Sequence, residues 1–161
     1  MATTTYAAIR DSMIINVRAI VPANLADKPF DRCPVRVRLA DWATKQTPGS
    51  AAFRKFEIRR NMAEEASFFS PDEIERRETA VLRVAYPVLP ELYGADELDD
   101  IEEIIRRDAR DLRDVIASPD NYVSGQNAAF VDELEPVDES YEHVWFLGLR
   151  IRLYYYETQN L

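Results

Sequence analysis

From Trp145 to Tyr156 the chain alternates between two kinds of side chain without a break. Trp145, Leu147, Leu149, Ile151, Leu153 and Tyr155 fall on one side, and Phe146, Gly148, Arg150, Arg152, Tyr154 and Tyr156 on the other. Successive side chains of a strand point to opposite faces, so a period of two over this length specifies a strand with one apolar face. An extended run of about a dozen residues reaches roughly 40 Å, where an ordinary strand has about five or six residues. The second face, part aromatic and part arginine, suits contact with another protein better than contact with water alone.

The rest of the chain supplies the partners of this strand. Ile9, Met13, Val17, Ile20 and Val21 recur at steps of three and four, the stripe of a helix that Thr4 or Thr5 can cap and Pro22 stops. Between Phe30 and Leu39, Val35, Val37 and Leu39 alternate with Arg36 and Arg38, which predicts a strand. From about Trp42 to Glu75 the pattern weakens into a long loop insertion, with a turn at Thr47-Pro48-Gly49-Ser50 and a short strand around Phe56 and Ile58. A strand from Glu78 to Val88 places Ala80, Leu82, Val84 and Tyr86 on one face and ends at Pro87 and Pro90. A helix from Asp96 to Ala117 carries Leu98, Ile101, Ile104, Ile105, Leu112, Val115 and Ile116 as its apolar stripe, with acids at its positive N-terminal end. Ala129 to Val137 reads as one more strand. The expected fold is α+β: a single domain over residues 1–161, a mixed or antiparallel sheet with two main helices packed on it and a long final strand. A chain of 161 residues fits one such core.

Composition narrows the function. Asp and Glu outnumber Lys and Arg by 29 to 20, a formal charge of -9, which disfavours tight non-specific binding to a phosphate backbone. No apolar run reaches the ~18 residues of a membrane-spanning helix, so no membrane association is expected, and the first residues lack the pattern of a secretory signal. The single cysteine, Cys33, excludes an internal disulfide, fits a reducing compartment and reads as a small buried hydrophobe. One cysteine and one histidine, His143, cannot supply an ordinary zinc site, and no Gly-rich phosphate cradle or Gly-x-Ser-x-Gly turn is present. The acidic clusters Glu64–Glu65, Asp99–Asp100, Glu102–Glu103 and Asp132–Glu133 lack the glycine-centred calcium loop and read as solvated faces or helix-dipole partners. The expectation is a protein that is not an enzyme, with no catalytic residue, metal or cofactor.

Arginine and aromatic residues, which interfaces enrich, gather in three places. The stretch around Arg54, Phe56, Arg59 and Arg60, with Phe68 and Phe69 beyond it and Arg76–Arg77 nearby, reads as a loop docking on protein or as a loop whose arginines pair with nearby glutamates. Arg36 and Arg38 line one strand, and Arg150, Arg152, Tyr154 and Tyr156 line the open side of the last.

Four blocks in order carry a family resemblance: TYAAIRDSMIINVRAIVP, RCPVRVRLAD, ETAVLRVAYPVLPELYGADELDDIEEIIRRDARDLRDVI and FVDELEPVDESYEHVWFLGLRIRLYYYE. Together they cover most of the chain, and in order and spacing they resemble the lambda-type tail terminator proteins of long-tailed phages. The resemblance implies a structural virion protein, made in the host cytoplasm and placed in the tail or neck. It would form a homohexameric ring on the head-proximal end of the tail tube, stop tube growth and offer a docking surface to the head connector. Its partners would be other copies of itself, the tail tube protein and a head completion protein, with genomic DNA passing through the lumen without specific binding. The longer stretch from Trp42 to Glu75 departs from compact members of that family. A head completion or stopper protein of the same particle is the alternative, and a small ligand-binding or enzymatic α+β domain the third.

Overall fold

The computed structural model describes residues 2–46, 49–70, 73–88, 97–139 and 144–158, with side chains for these except 45, 46, 49, 50, 62–70, 97–99, 135, 138 and 139. Helix α1 spans Tyr6–Arg18, strand β1 Asp31–Arg32 and the short helix α2 Leu39–Asp41, which runs on into a π-helical turn at Trp42–Gln46. A 3-10 turn at Gly49–Ala52 leads into strand β2, Lys55–Ser70, and β3 follows at Glu73–Pro87. Helix α3 is Glu97–Ala117, and the last strands are β4, Gln126–Glu139, and β5, Val144–Thr158. The strands form one mixed sheet in the order β1-β2-β3-β5-β4, antiparallel throughout except for the β1–β2 pair. The α+β class read from the sequence is the class observed.

The centre of the sheet is the β3–β5 ladder, unbroken from Glu73 opposite Thr158 to Pro87 opposite Val144. Its two apolar stripes, Ala80, Leu82 and Val84 with Leu147, Leu149, Ile151 and Leu153, share one face. Ile9, Met13 and Val17 of α1 and Ile101, Ile105, Leu112 and Ile116 of α3 join them in the main core. Each such side chain contributes roughly 1.5–3 kcal/mol when fully buried. A smaller cluster lies on the opposite face at one end, where Cys33, Leu39, Ala43 and Ala52 cover Ala85, Val144 and Phe146.

Thr5 caps α1, its Oγ1 accepting from the Ala8 amide at 3.2 Å. The helix ends at Arg18, so Val21 leaves the stripe and is 79% exposed. The strand expected from Phe30 to Leu39 is reduced to Asp31–Arg32. The Cys33 amide makes a last bond to Phe56 O at 2.8 Å, Pro34 has no amide to continue the ladder, and Val37 N turns back to Pro34 O at 3.1 Å. Arg36 and Arg38 therefore stand exposed in a turn. The expected long loop is also overturned: most of residues 55–75 is a hairpin of β2 and β3. The register slips between Arg60 and Glu64, and these charged residues interrupt the apolar series of Phe56, Ile58, Ala66 and Phe68 that would have marked β2 as one strand. Thr47 and Pro48 of the expected turn, and Pro90 at the expected strand end, lie outside the described residues, as does His143.

Candidate functional site

Among the described residues, helices α1 and α3 cover one face of the sheet, and the Cys33–Ala52 segment covers one end of the other. What remains is an open area built by alternate residues of β3, β5 and β4. Register places Arg77 beside Tyr154, Thr79 beside Arg152 and Phe130, Val81 beside Arg150 and Asp132, and Arg83 beside Gly148 and Leu134. These residues pack on one another. The Phe130 and Tyr154 rings meet edge to face at 5.7 Å. Arg152 lies 5.6 Å above the Phe130 ring, Arg77 5.7 Å above Tyr154 and Arg83 4.6 Å above Phe146. Asp132 Oδ2 takes both Arg150 Nε at 3.6 Å and Arg152 Nε at 3.4 Å. Cation–π contacts at exposed sites are worth about 0.5–1 kcal/mol each, which favours this stacking without fixing the side chains. At the β4 edge Phe130, Leu134 and Val137 remain 51%, 37% and 54% exposed.

Of the residues singled out in the sequence, Arg150, Arg152, Tyr154 and Tyr156 share this open face, with Arg59 on the same side of β2. Arg36 and Arg38 are brought near it by the turn beside Glu57, whose Oε2 accepts from the Leu39 amide at 3.0 Å. Arg60 points to the helix-covered side, pairing with Glu78 and stacking 5.0 Å over the Tyr6 ring. Phe68 and Phe69 lie in β2, with side chains outside those described.

Arg54 and Phe56 are not interface residues: both are wholly buried. Arg54 Nε and Nη2 donate to Asp108 Oδ2 and Oδ1 at 2.6 and 3.0 Å, and its Nη1 to the carbonyls of Leu25 and Lys28 at 2.9 and 3.0 Å. The Tyr86 hydroxyl donates to the same carboxylate at 2.8 Å. Burial pushes the Asp108 carboxyl above its ordinary value, against the pull of Arg54 and Tyr86. This cluster is a clamp inside the fold. The sequence reading missed it and left Phe130 and Arg83 out of the candidate interface, while it read Asp132 as part of a solvated acidic cluster; the place of Arg83 between Leu82 and Val84 in the alternation of β3 was the available signal.

A cleft of about 450 Å³ opens between α1 and the sheet, lined by Tyr6, Arg10, Arg60, Tyr155 and Glu157 among others. Beneath it the buried Glu78 accepts from Arg60 and from the Tyr155 hydroxyl at 3.0 Å on Oε1, while Glu78 Oε2 and the Tyr6 hydroxyl have no hydrogen-bond partner among the described residues. Burial, and then the Glu78 charge, raise the phenols of Tyr6 and Tyr155 above their ordinary value. Cys33 is buried, and burial followed by the Glu57 charge raises its thiol, so a thiolate is disfavoured. Among the described residues no group of three or more His, Cys, Asp or Glu side chains could hold a metal ion, and no helix is long and apolar enough to cross a membrane.

No protein-family model matches the chain, and no curated protein is similar to it in sequence.

Proposed function

We propose that this chain is a ring-forming tail terminator of a long-tailed phage. In this reading six copies close head to tail on the head-proximal end of the tail tube, arrest its growth and present a docking surface to the head connector. The protein is structural; it uses no catalytic group, metal or cofactor and works in the virion. The observation that carries the reading beyond the family resemblance is the uncovered sheet face. A face bearing Phe130, Leu134 and Val137 beside stacked arginine–aromatic rows has the composition of an interface core, not of a solvated surface.

Native mass measured over a range of concentrations tests the ring, and polymerisation of tail tube protein with and without the chain tests the cap. A discrete species near six times 18.6 kDa and tubes that stop lengthening are expected. A strict monomer that leaves tube growth unaltered would overturn the reading.

A further inference from the structure

Both outer edges of the sheet are long, and among the described residues little covers them. Strand β1 pairs only with Lys55 and Phe56, so β2 is open from about Arg59 to Ser70, and β4 pairs only with β5. A free edge of this length is a template for another strand. Each edge also differs from the other in chemistry. The second half of β4 holds Asp132, Glu133, Glu135, Asp138 and Glu139, whereas its first half, Gln126–Val131, is uncharged. The β2 edge begins with Arg59 and Arg60 beside the turn bearing Arg36 and Arg38, and it ends in the uncharged Ala66–Ser70.

We infer that copies of this chain join by pairing the β4 edge of one with the β2 edge of the next, antiparallel, so that one sheet runs on from subunit to subunit. This rests on the head-to-tail ring proposed above and names the joint that would close it. Three observations converge on that joint. Strands β2, β3, β5 and β4 alternate in direction. A rotation about an axis along the strands therefore sets β4 against the next β2 antiparallel without turning any subunit over. Antiparallel pairing then lays the acidic half of β4 on the basic start of β2, and the uncharged start of β4 on the part of β2 that holds Glu64, Glu65 and the uncharged Ala66–Ser70, so acid is not set against acid. Lastly, Leu134 and Val137 lie on the open face at the Phe146 end. The Pro34–Arg38 turn, whose Val35 is 76% exposed, flanks β2 on that face and at that end, so the joint covers apolar side chains from both copies. A twofold antiparallel β4–β4 pairing would instead lay the acidic half of each copy on the uncharged half of the other and leave the acids without basic partners. Pro136 sits within the β4 bulge between Leu134 and Val137 and removes one amide from the edge without ending it.

Charge reversal separates the joint from the ring. Glu133→Arg/Glu135→Arg/Asp138→Arg/Glu139→Arg makes both edges of a subunit basic, and Arg36→Glu/Arg38→Glu/Arg59→Glu makes both acidic. Each variant, checked for unchanged circular dichroism, should associate at least ten-fold more weakly than the wild type, and an equal mixture should recover rings in which the two alternate. Rings formed by either variant alone as readily as by the wild type, or a mixture that stays monomeric, would overturn the joint while leaving the ring standing. A wild type that is monomeric at every concentration would overturn both. Should a variant fail to fold, the wild-type ring supplies the same test, because dissociation must rise several-fold between ~0.05 M and ~0.5 M salt if opposite charges close it; a salt-independent ring overturns the joint.

Discussion

Replacing Arg54 by Met should destabilise this protein more than loss of any one ion pair on its surface. The guanidinium group is inaccessible to solvent and makes four hydrogen bonds, two to Asp108 and one each to the carbonyls of Leu25 and Lys28. Phe30 and Phe53 flank it at 5.6 and 5.2 Å, so water has no route to replace it. Removing one partner of a buried pair leaves the other uncompensated and costs about 3–5 kcal/mol. In a chain of this size each kcal/mol lowers the melting temperature by about 2–4 °C, so Arg54→Met should melt roughly 6–20 °C below the wild type. The double variant Arg54→Met/Asp108→Leu removes both charges and should recover at least about half of that loss, because an apolar pair of similar volume is often as stable as the ion pair it replaces. Tyr86 would then lack its acceptor, which keeps the recovery incomplete at about 1–3 kcal/mol. Urea unfolding followed by circular dichroism gives both numbers. A loss below about 1 kcal/mol for the single variant, or strictly additive losses in the double, would refute the account of Arg54 and Asp108 as one coupled unit.

Three smaller perturbations probe other parts of the structure. Gly125→Ala should cost about 1–3 kcal/mol by chemical denaturation, since φ is +92° there and a Cβ would stand 2.6 Å from the Thr3 carbonyl carbon. In a spectrophotometric titration Tyr6 and Tyr155 should stay silent while accessible phenols ionise. Their raised values mean that the stability they contribute is complete below the ordinary tyrosine range and is lost as pH climbs past it, so Tyr155→Phe should leave the early-titrating count unchanged. Burial raises the Asp31 carboxyl, but the Lys55 ammonium at 2.7 Å, the Arg32 amide and the Arg18 charge outweigh it and hold the group below its ordinary value. Its contribution is therefore present above the ordinary aspartate range and lost in acid, so Asp31→Asn should be slightly less stable at neutral pH and equal to the wild type once the pH falls below the folded value.

Elements whose burial follows a single period were legible in the sequence. Strand β5 faces the core with Leu147, Leu149, Ile151, Leu153 and Tyr155 as its alternation requires, and α3 does so with Ile101, Ile104, Ile105, Leu112 and Ile116. Strand β2 was not legible because the charged Arg60 and Glu64 interrupt the series Phe56, Ile58, Ala66 and Phe68, although the register keeps that series in phase across the bulge. The residues from Val35 to Leu39 misled in the opposite sense: they alternate as a strand would, but Pro34 prevents the backbone bonds that a strand needs. Arg54 was assigned to a surface because arginine is almost never fully buried unless paired. Its partner Asp108 lies on a helix far along the chain, and nothing local to either residue marks the pair. The open face divides in the same way. Arg150, Arg152, Tyr154 and Tyr156 follow from the period of β5, whereas their contacts with Phe130, Asp132 and Arg77 depend on strand order, which the sequence does not state.

The chemistry of that open face limits what can cover it. Guanidinium groups lie against the rings of Phe130, Tyr154 and Phe146, which keeps the aromatic surface wetted by charge in the free chain. An arriving protein that displaced water from these rows would have to compensate each buried charge, since an unpaired buried ion costs several kcal/mol. Asp132 is one carboxylate shared by two arginines, Arg150 and Arg152, and so cannot neutralise both once water is gone. A purely apolar partner would bind poorly there. One that brings its own carboxylates or backbone carbonyls to Arg150 and Arg152 would gain the aromatic contact without the ionic penalty. Arg152→Glu should for that reason weaken association through this face far more than Arg152→Gln, whose amide still donates a hydrogen bond. Equal effects of the two substitutions on association would mean that the covering partner brings no acceptors to these arginines.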